Sequence, residues 1–197
     1  MSVAFFIAFA AAKAASINGQ QPTDLAVEAM HNFGACVVAQ TPAGAREVLA
    51  MDYRSKAYAE KLRAIAKGHG RCAPGHDLRF GRVLFAGAMA EALLKSDVKP
   101  NAMIHLLAYD QSRPAIESRS PSETMALCTV LKAPDASARL FATDPATPEE
   151  AKAVQDLGPT LTECLRKDRR MTLNRPGLRA ILALAAWRIA TTSTGAQ

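Results

Sequence analysis

Aromatic residues are scarce in this chain, 6% of 197 positions with a single tryptophan, so its core has to be closed with small aliphatic side chains rather than stacked rings. Apolar runs of membrane-spanning length are also missing. Val3 to Ala12 is only ten residues long, where a spanning helix needs about 20. The apolar stretch Ala180 to Ala186 is bracketed closely by Arg179 and Arg188. HExxH, GxSxG, a phosphate-binding glycine loop and a CxxC pair are all absent, which removes several common routes to metal-assisted, acyl-transfer, nucleotide and dithiol chemistry. No pattern for a cofactor is found.

What is present is alanine. It occurs 40 times, within a composition of 49% hydrophobic and 21% charged residues that excludes wholesale disorder. Alanine is the best helix former, and the length suits one domain or two small ones. The composition therefore predicts an all-α fold of helices packed on small side chains.

The run VAFFIAFAAA at Val3 to Ala12, followed by Ala12-Lys13-Ala14, fits the apolar core and A-x-A processing site of an export signal. Residues 1–14 are read as a signal peptide cleaved after Ala14, leaving a mature chain that starts at Ala15 and has no transmembrane segment. Two features depart from the usual pattern: no Lys or Arg precedes the run, and Lys13 lies inside the cleavage motif. An ordinary core helix is the competing reading, but Phe5, Phe6 and Phe9 leave it no polar face. The expected location is periplasmic or secreted.

Cys36, Cys72, Cys128 and Cys164 are regularly placed. Each of the intervals Cys36 to Cys72 and Cys128 to Cys164 is 36 positions, and the pairs are offset by 92. At that offset CVVAQTPAGAREVLAMD is echoed by CTVLKAPDASARLFATD, with Pro42 on Pro134, Ala50 on Ala142 and Asp52 on Asp144. Beyond the second cysteine the offset becomes 96, aligning Arg79 with Arg175, Gly81 with Gly177 and Ala90 with Ala186. A duplication is the reading of this self-similarity. In an exported chain it selects the disulfides Cys36–Cys72 and Cys128–Cys164 from three possible connectivities, one staple per repeat.

Each repeat should hold four helices. In the first, Thr23 or Asp24 caps a helix to about Gln40 whose buried stripe includes Leu25, Val27, Met30, Phe33, Cys36 and Val37. Pro42 to Met51 forms the second, Ser55 caps a third that stops at Gly68, and Leu78 to Lys95 is the fourth. The second half restarts with the capping-box signatures Ser120-Pro121-Ser122-Glu123 and Thr147-Pro148-Glu149-Glu150, breaks at Gly158-Pro159, and ends in a helix from about Asn174 that frays from Thr191. The predicted organisation is a first repeat over 15–95, a linker over 96–119 with one optional short helix, and a second repeat over 120–197. About eight helices pack as one globule, because neither half buries a comfortable core alone.

Candidate chemistry is sparse. His69 and His76 flank Cys72 in a glycine-rich turn, with Asp77 placed to orient an imidazole, an arrangement able to serve acid–base or metal chemistry. His31 and His105 lie in apolar helical contexts and read as partly buried, hydrogen-bonded side chains. The net charge is +6. Arg166, Lys167, Arg169 and Arg170 crowd one loop with Arg175 and Arg179 close behind, a face able to attract an anion. Arg46 with Asp52, and Arg139 with Asp144, read as structural Arg–Asp or capping turns.

The sequence thus points to an exported, non-enzymatic helical protein, a binding or structural module of the cell envelope or secreted fraction. Its expected partner is a protein or an anionic surface ligand, not a nucleic acid, and no metal is assigned. The alternative is a small exported enzyme or metal-binding protein using His69, His76 and Asp77. A third reading denies export and keeps the four thiols reduced.

Overall fold

Helix starts in this chain are written locally. The Thr23 hydroxyl accepts from the Ala26 N–H and opens α1, Asp24–Gln40. Pro42 opens α2, Pro42–Ala50, and the Ser55 hydroxyl accepts from Tyr58 N–H at 3.0 Å to open α3, Lys56–Gly68. A single 3-10 turn, Gly70–Cys72, follows. Then come α4, Arg82–Asp97, and α5, Pro100–Leu107. Ser120 caps α6, Pro121–Lys132, and Pro134 starts α7, Pro134–Ala142. Thr147 caps α8, Pro148–Asp156, which α9, Gly158–Cys164, follows directly, and α10 is Arg175–Ser193. Proline sits in the first turn of seven of these helices, where its missing N–H costs nothing. The structure, a computed structural model, describes residues 22–73, 81–165 and 171–193; the signal-peptide reading of 1–14 lies outside them.

The described residues are therefore all helical, with ten α-helices and no strand. That exceeds the expected eight. The optional helix of the linker is present as α5, and the expected break at Gly158-Pro159 separates α8 from α9, so that these two count as separate helices. Two smaller expectations also fail. Leu25 is 77% exposed because α1 turns that side away from α4, and α10 continues to Ser193 rather than fraying from Thr191.

Helices α4 and α10 form the centre. α1 packs on α4, α6 packs on α10, and α2 closes against both α1 and α4. The contacts are tight because small residues meet at the crossings. A Cβ added to Gly34 would stand 2.6 Å from the Ala88 Cβ, and one added to Gly87 would stand 2.5 Å from the Ala180 Cα. Ala86, Ala88, Ala90, Ala183, Ala185 and Ala186 are buried around these crossings, which is the use this chain makes of its alanine. Larger side chains fill the space between, among them Phe33 and Phe85 with ring centroids 5.2 Å apart. One continuous apolar cluster includes residues of α1 to α8 and of α10.

Both disulfides are formed as the cysteine spacing predicts. Cys36–Cys72 ties α1 to the 3-10 turn, and Cys128–Cys164 ties α6 to the end of α9, each with Cα atoms 5.7 Å apart. Each closes a loop of a length at which a bridge is worth about 3 to 4 kcal/mol in the chain-entropy picture. No described helix is long and apolar enough to cross a membrane.

The α4/α10 crossing gives a direct test of this packing. Gly87→Ala gains about 1 kcal/mol of helix propensity but forces a methyl group into the Ala180 backbone, so a net loss of about 1 to 3 kcal/mol is expected in urea unfolding. Gly68→Ala, where nothing lies within 4 Å of the new Cβ, should cost nothing; equal effects from the two would refute the close-approach account.

Candidate functional site

Two places concentrate chemistry, one on each side of the α4/α10 crossing. The first is an ionic cluster. Arg179 of α10 is completely buried, and its five N–H donors all find acceptors. Nε and Nη2 clasp the Glu91 carboxylate of α4 at 2.8 and 2.6 Å, Nη1 reaches Glu150 Oε1 at 3.1 Å and Thr143 Oγ1 at 3.2 Å, and Nη2 also donates to the Thr143 carbonyl at 2.7 Å. Lys95 pairs with Glu91 at 2.8 Å, Arg175 pairs with Glu150 at 3.0 Å, and His31 of α1 stands with Nδ1 3.9 Å from Glu91.

The second carboxylate is held by its own helix start. Glu150 N–H donates to the Thr147 hydroxyl, and Glu150 Oε2 accepts from Ala146 N–H at 2.9 Å, a capping box displaced by one residue. Ala146 takes a left-handed φ of 66° at that point. Ser120 and Glu123 repeat the device: Glu123 Oε2 accepts from Arg119 N–H at 2.6 Å, and its other oxygen pairs with Arg188.

The electrostatics follow from the geometry. Burial pushes the Glu91 carboxyl up, but the bond and charge of Arg179, with Lys95 and His31, outweigh it and hold the group below the usual range. Burial lowers His31 more than the Glu91 charge raises it, and Arg179 and Lys95 lower it further. These groups satisfy one another, so the cluster is a structural lock rather than a reactive centre.

The second place is a groove of about 190 Å³. Met51, Tyr53 and Tyr58 form one wall, and Leu184 and Trp187 of α10 form the other. Val83, 49% exposed, and Arg82 stand where α4 begins, beside Arg119, Glu123 and Arg188. Burial pushes the Tyr58 phenol up to about 12, against the opposing charge of Arg82. Glu123 is engaged by Arg188, and Arg188 also donates to the Glu117 carbonyl at 3.1 Å. Among the described residues no carboxylate forms an ion pair with Arg82 or Arg119; Arg119 Nη1 donates to the Met51 carbonyl at 3.5 Å, and its charge is felt by the Asp52 carboxyl, which Arg54 holds. A smaller hollow of about 150 Å³ lies between the 108–116 segment, α6 and α10; its Asp110 and Arg113 pair with each other at 3.4 Å.

Of the residues singled out in the sequence, Arg175 and Arg179 belong to the ionic cluster and the others fall elsewhere. His69 donates from Nδ1 to the Ile65 carbonyl at 2.8 Å and so closes the end of α3. His76 and Asp77 lie outside the described residues, as do Arg166, Lys167, Arg169 and Arg170. Arg175 pairs with Glu150 and, at 3.7 Å, with Asp24. Arg179 does not join a basic face, because it is the buried centre of the ionic cluster. His105 is exposed on α5 rather than partly buried. Arg46 pairs with Asp97 at 2.7 Å, while Asp52 pairs with Arg54, whose bonds hold its carboxyl well below the usual range. Cys36, Cys72, Cys128 and Cys164 are all in disulfides, and no group of three metal-capable side chains occurs among the described residues. Sequence reasoning missed Glu91, Glu150 and the groove. A glutamate inside AMAEALL and an arginine inside GLRAILALAA were the available signals.

Compared with family models, curated proteins and solved structures, the chain matches none.

Two outcomes follow from the cluster. Arg179→Met leaves two buried carboxylates without their shared cation and should cost on the order of 3 to 5 kcal/mol in chemical denaturation; a loss below about 1 kcal/mol would show that the cluster is not the lock. The unfolded chain takes up a proton at His31 near pH 6.5 while the folded protein resists it, so stability falls as pH drops below that value. Glu91, depressed in the folded state, adds a loss of the same sign once the pH falls below about 4.5. Melting temperatures measured from pH 7 to pH 5 should therefore decline, with a flatter profile for His31→Gln.

Proposed function

We propose that this chain is an exported, non-enzymatic binding module of the periplasm or secreted fraction, made of two duplicated, disulfide-stapled four-helix repeats that share a groove. Export is supported by the N-terminal apolar run and by the two disulfides, which persist in oxidising compartments. Duplication is supported by helix bounds: α2 and α7 differ by 92 at both ends, and the caps Ser55 and Thr147 differ by the same number.

The observation that carries the binding reading is the correspondence between the ionic cluster and the groove. At the offset of 92, His31, Thr143 and Glu150 answer to Glu123, Met51 and Tyr58; at 96, Arg179 and Glu91 answer to Val83 and Trp187. All five counterparts line the groove. One end of the scaffold is thus plugged by the Arg179 side chain, and the matching end has a valine that cannot reach, which leaves an open apolar space. Concave apolar sites with a few convergent polar groups are where ligands bind. The competing acid–base reading has less support, because His69 commits Nδ1 to its own helix.

A neutral probe of matching size, toluene, tests the groove. Its saturation-transfer NMR signal should appear with the oxidised protein and fall with Val83→Phe, which fills the mouth. No transfer, or transfer indifferent to that substitution, would refute the groove as a binding site. Intact-mass and non-reduced peptide spectra from the native host test export: a start at Ala15 is expected, and a full-length chain with free thiols would refute it.

A further inference from the structure

We infer that the groove selects a short-chain amphipathic carboxylate, its apolar tail lying against Tyr58, Leu184 and Trp187 and its anionic head at Arg82 and Arg119. The inference rests on the groove being a binding site and adds the charge and size of what enters it.

Charge decides the head group. Three arginines and one glutamate line the groove, and the glutamate is already engaged by Arg188 and by the Arg119 backbone N–H. What remains is a pair of cations, Arg82 exposed and Arg119 half-buried, neither in an ion pair with a carboxylate among the described residues; Asp52, whose carboxyl feels the Arg119 charge, is itself paired with Arg54. The start of α4 adds the same sign, since Arg82 and Val83 occupy its first turn and Gly81 supplies no side-chain cap. A neutral ligand would leave this excess unanswered, and a cationic one would be repelled. Guanidinium groups bind a carboxylate with two parallel bonds where geometry permits.

Size and lining decide the rest. A volume of about 190 Å³ falls below the 300 Å³ or more typical of drug-sized ligands and near the roughly 150 Å³ that accepts one benzene ring. The walls are phenol, indole and aliphatic surface, which reward an apolar tail by about 0.8 kcal/mol per buried methylene. On the opposite side of the crossing, the space is filled by one long side chain with a charged end, Arg179. The groove calls for a guest of that shape and of opposite charge.

Trp187 is the chain's single tryptophan and lines the groove, so its fluorescence reports occupancy directly. The full-length oxidised protein is titrated with octanoate, 1-octanol and octylamine at low ionic strength. Octanoate should shift the emission saturably, with a Kd about tenfold or more below that of 1-octanol. Arg82→Gln with Arg119→Gln should bring the two within about twofold, and Arg82→Lys with Arg119→Lys should keep octanoate ahead. Equal binding of 1-octanol, tighter binding of octylamine, or indifference to the glutamine pair would each overturn the carboxylate while leaving the groove as a site. No saturable response to any of the three, together with no saturation transfer to toluene, would overturn both readings. A protein that sediments as a dimer and binds octanoate only on dilution would put a second copy in the groove and also overturn the inference.

Discussion

The guanidinium of Arg179 is the constraint on which the rest of this fold depends. Burying a charge costs several kcal/mol after relaxation, and a buried pair offsets that cost only when its geometry is complete. Here it is complete, because five donors meet Glu91, Glu150 and both oxygens of Thr143. The arrangement has no partial version. Slide α10 along α4 by one turn and Glu91 loses its clasp; move the start of α8 and Glu150 loses Arg179, Arg175 and the Ala146 N–H together. Apolar contacts on an alanine-rich surface tolerate many registers, since one methyl group resembles the next. The ionic cluster does not, and we assign it the choice of register between α4, α8 and α10.

Close approach of the central helices makes that choice possible. Gly87 lets the α4 backbone reach Ala180, next to Arg179 in α10, and the guanidinium can then reach Glu91 one turn along α4. A larger residue at position 87 would widen the crossing and lengthen both bonds. The disulfides act at the periphery, fixing the 3-10 turn against α1 and the end of α9 against α6. Core and rim are thus held by different chemistry: small side chains and one charge cluster inside, covalent staples outside.

What the sequence made legible was local or periodic. Helix starts were readable because Ser55, Ser120, Thr147 and the first-turn prolines act within four residues. Disulfide pairing was readable because the two intervals of 36 repeat. Long-range polar pairing was not. An arginine beside an apolar run is equally consistent with a solvated helix boundary and with a buried ion, and only the position of Glu91, 88 residues away, separates the two for Arg179. Arg46 shows the same limit in miniature, since Asp52 is nearer in sequence but Asp97 is the partner. The groove was hidden for a related reason. Its walls come from the end of α2 and the turn after it, from α3, α4 and α10, and from the start of α6 with the segment before it, and no stretch of chain contains enough of them to form a pattern.

The duplicated reading gives the groove a physical origin. On that reading, two duplicated halves meeting about the α4/α10 crossing would create two matching spaces, and a chain of marginal stability would gain by closing both. The one containing Thr143 and Glu150 is closed by Arg179 and Glu91. In its counterpart Val83 stands for the arginine and Trp187 for the glutamate, and an indole is large enough to have sealed the space had its surroundings followed. They did not. Tyr58 replaces Glu150 with a flat apolar surface, and Glu123, in the place of His31, turns to Arg188 and the Arg119 N–H instead of crossing the gap. An open space lined by tyrosine, tryptophan and aliphatic side chains forgoes packing that the opposite end achieves. On the duplicated reading these two places are equivalent, and the asymmetry between them is the reason for proposing function at the groove rather than at the fully paired cluster of charges.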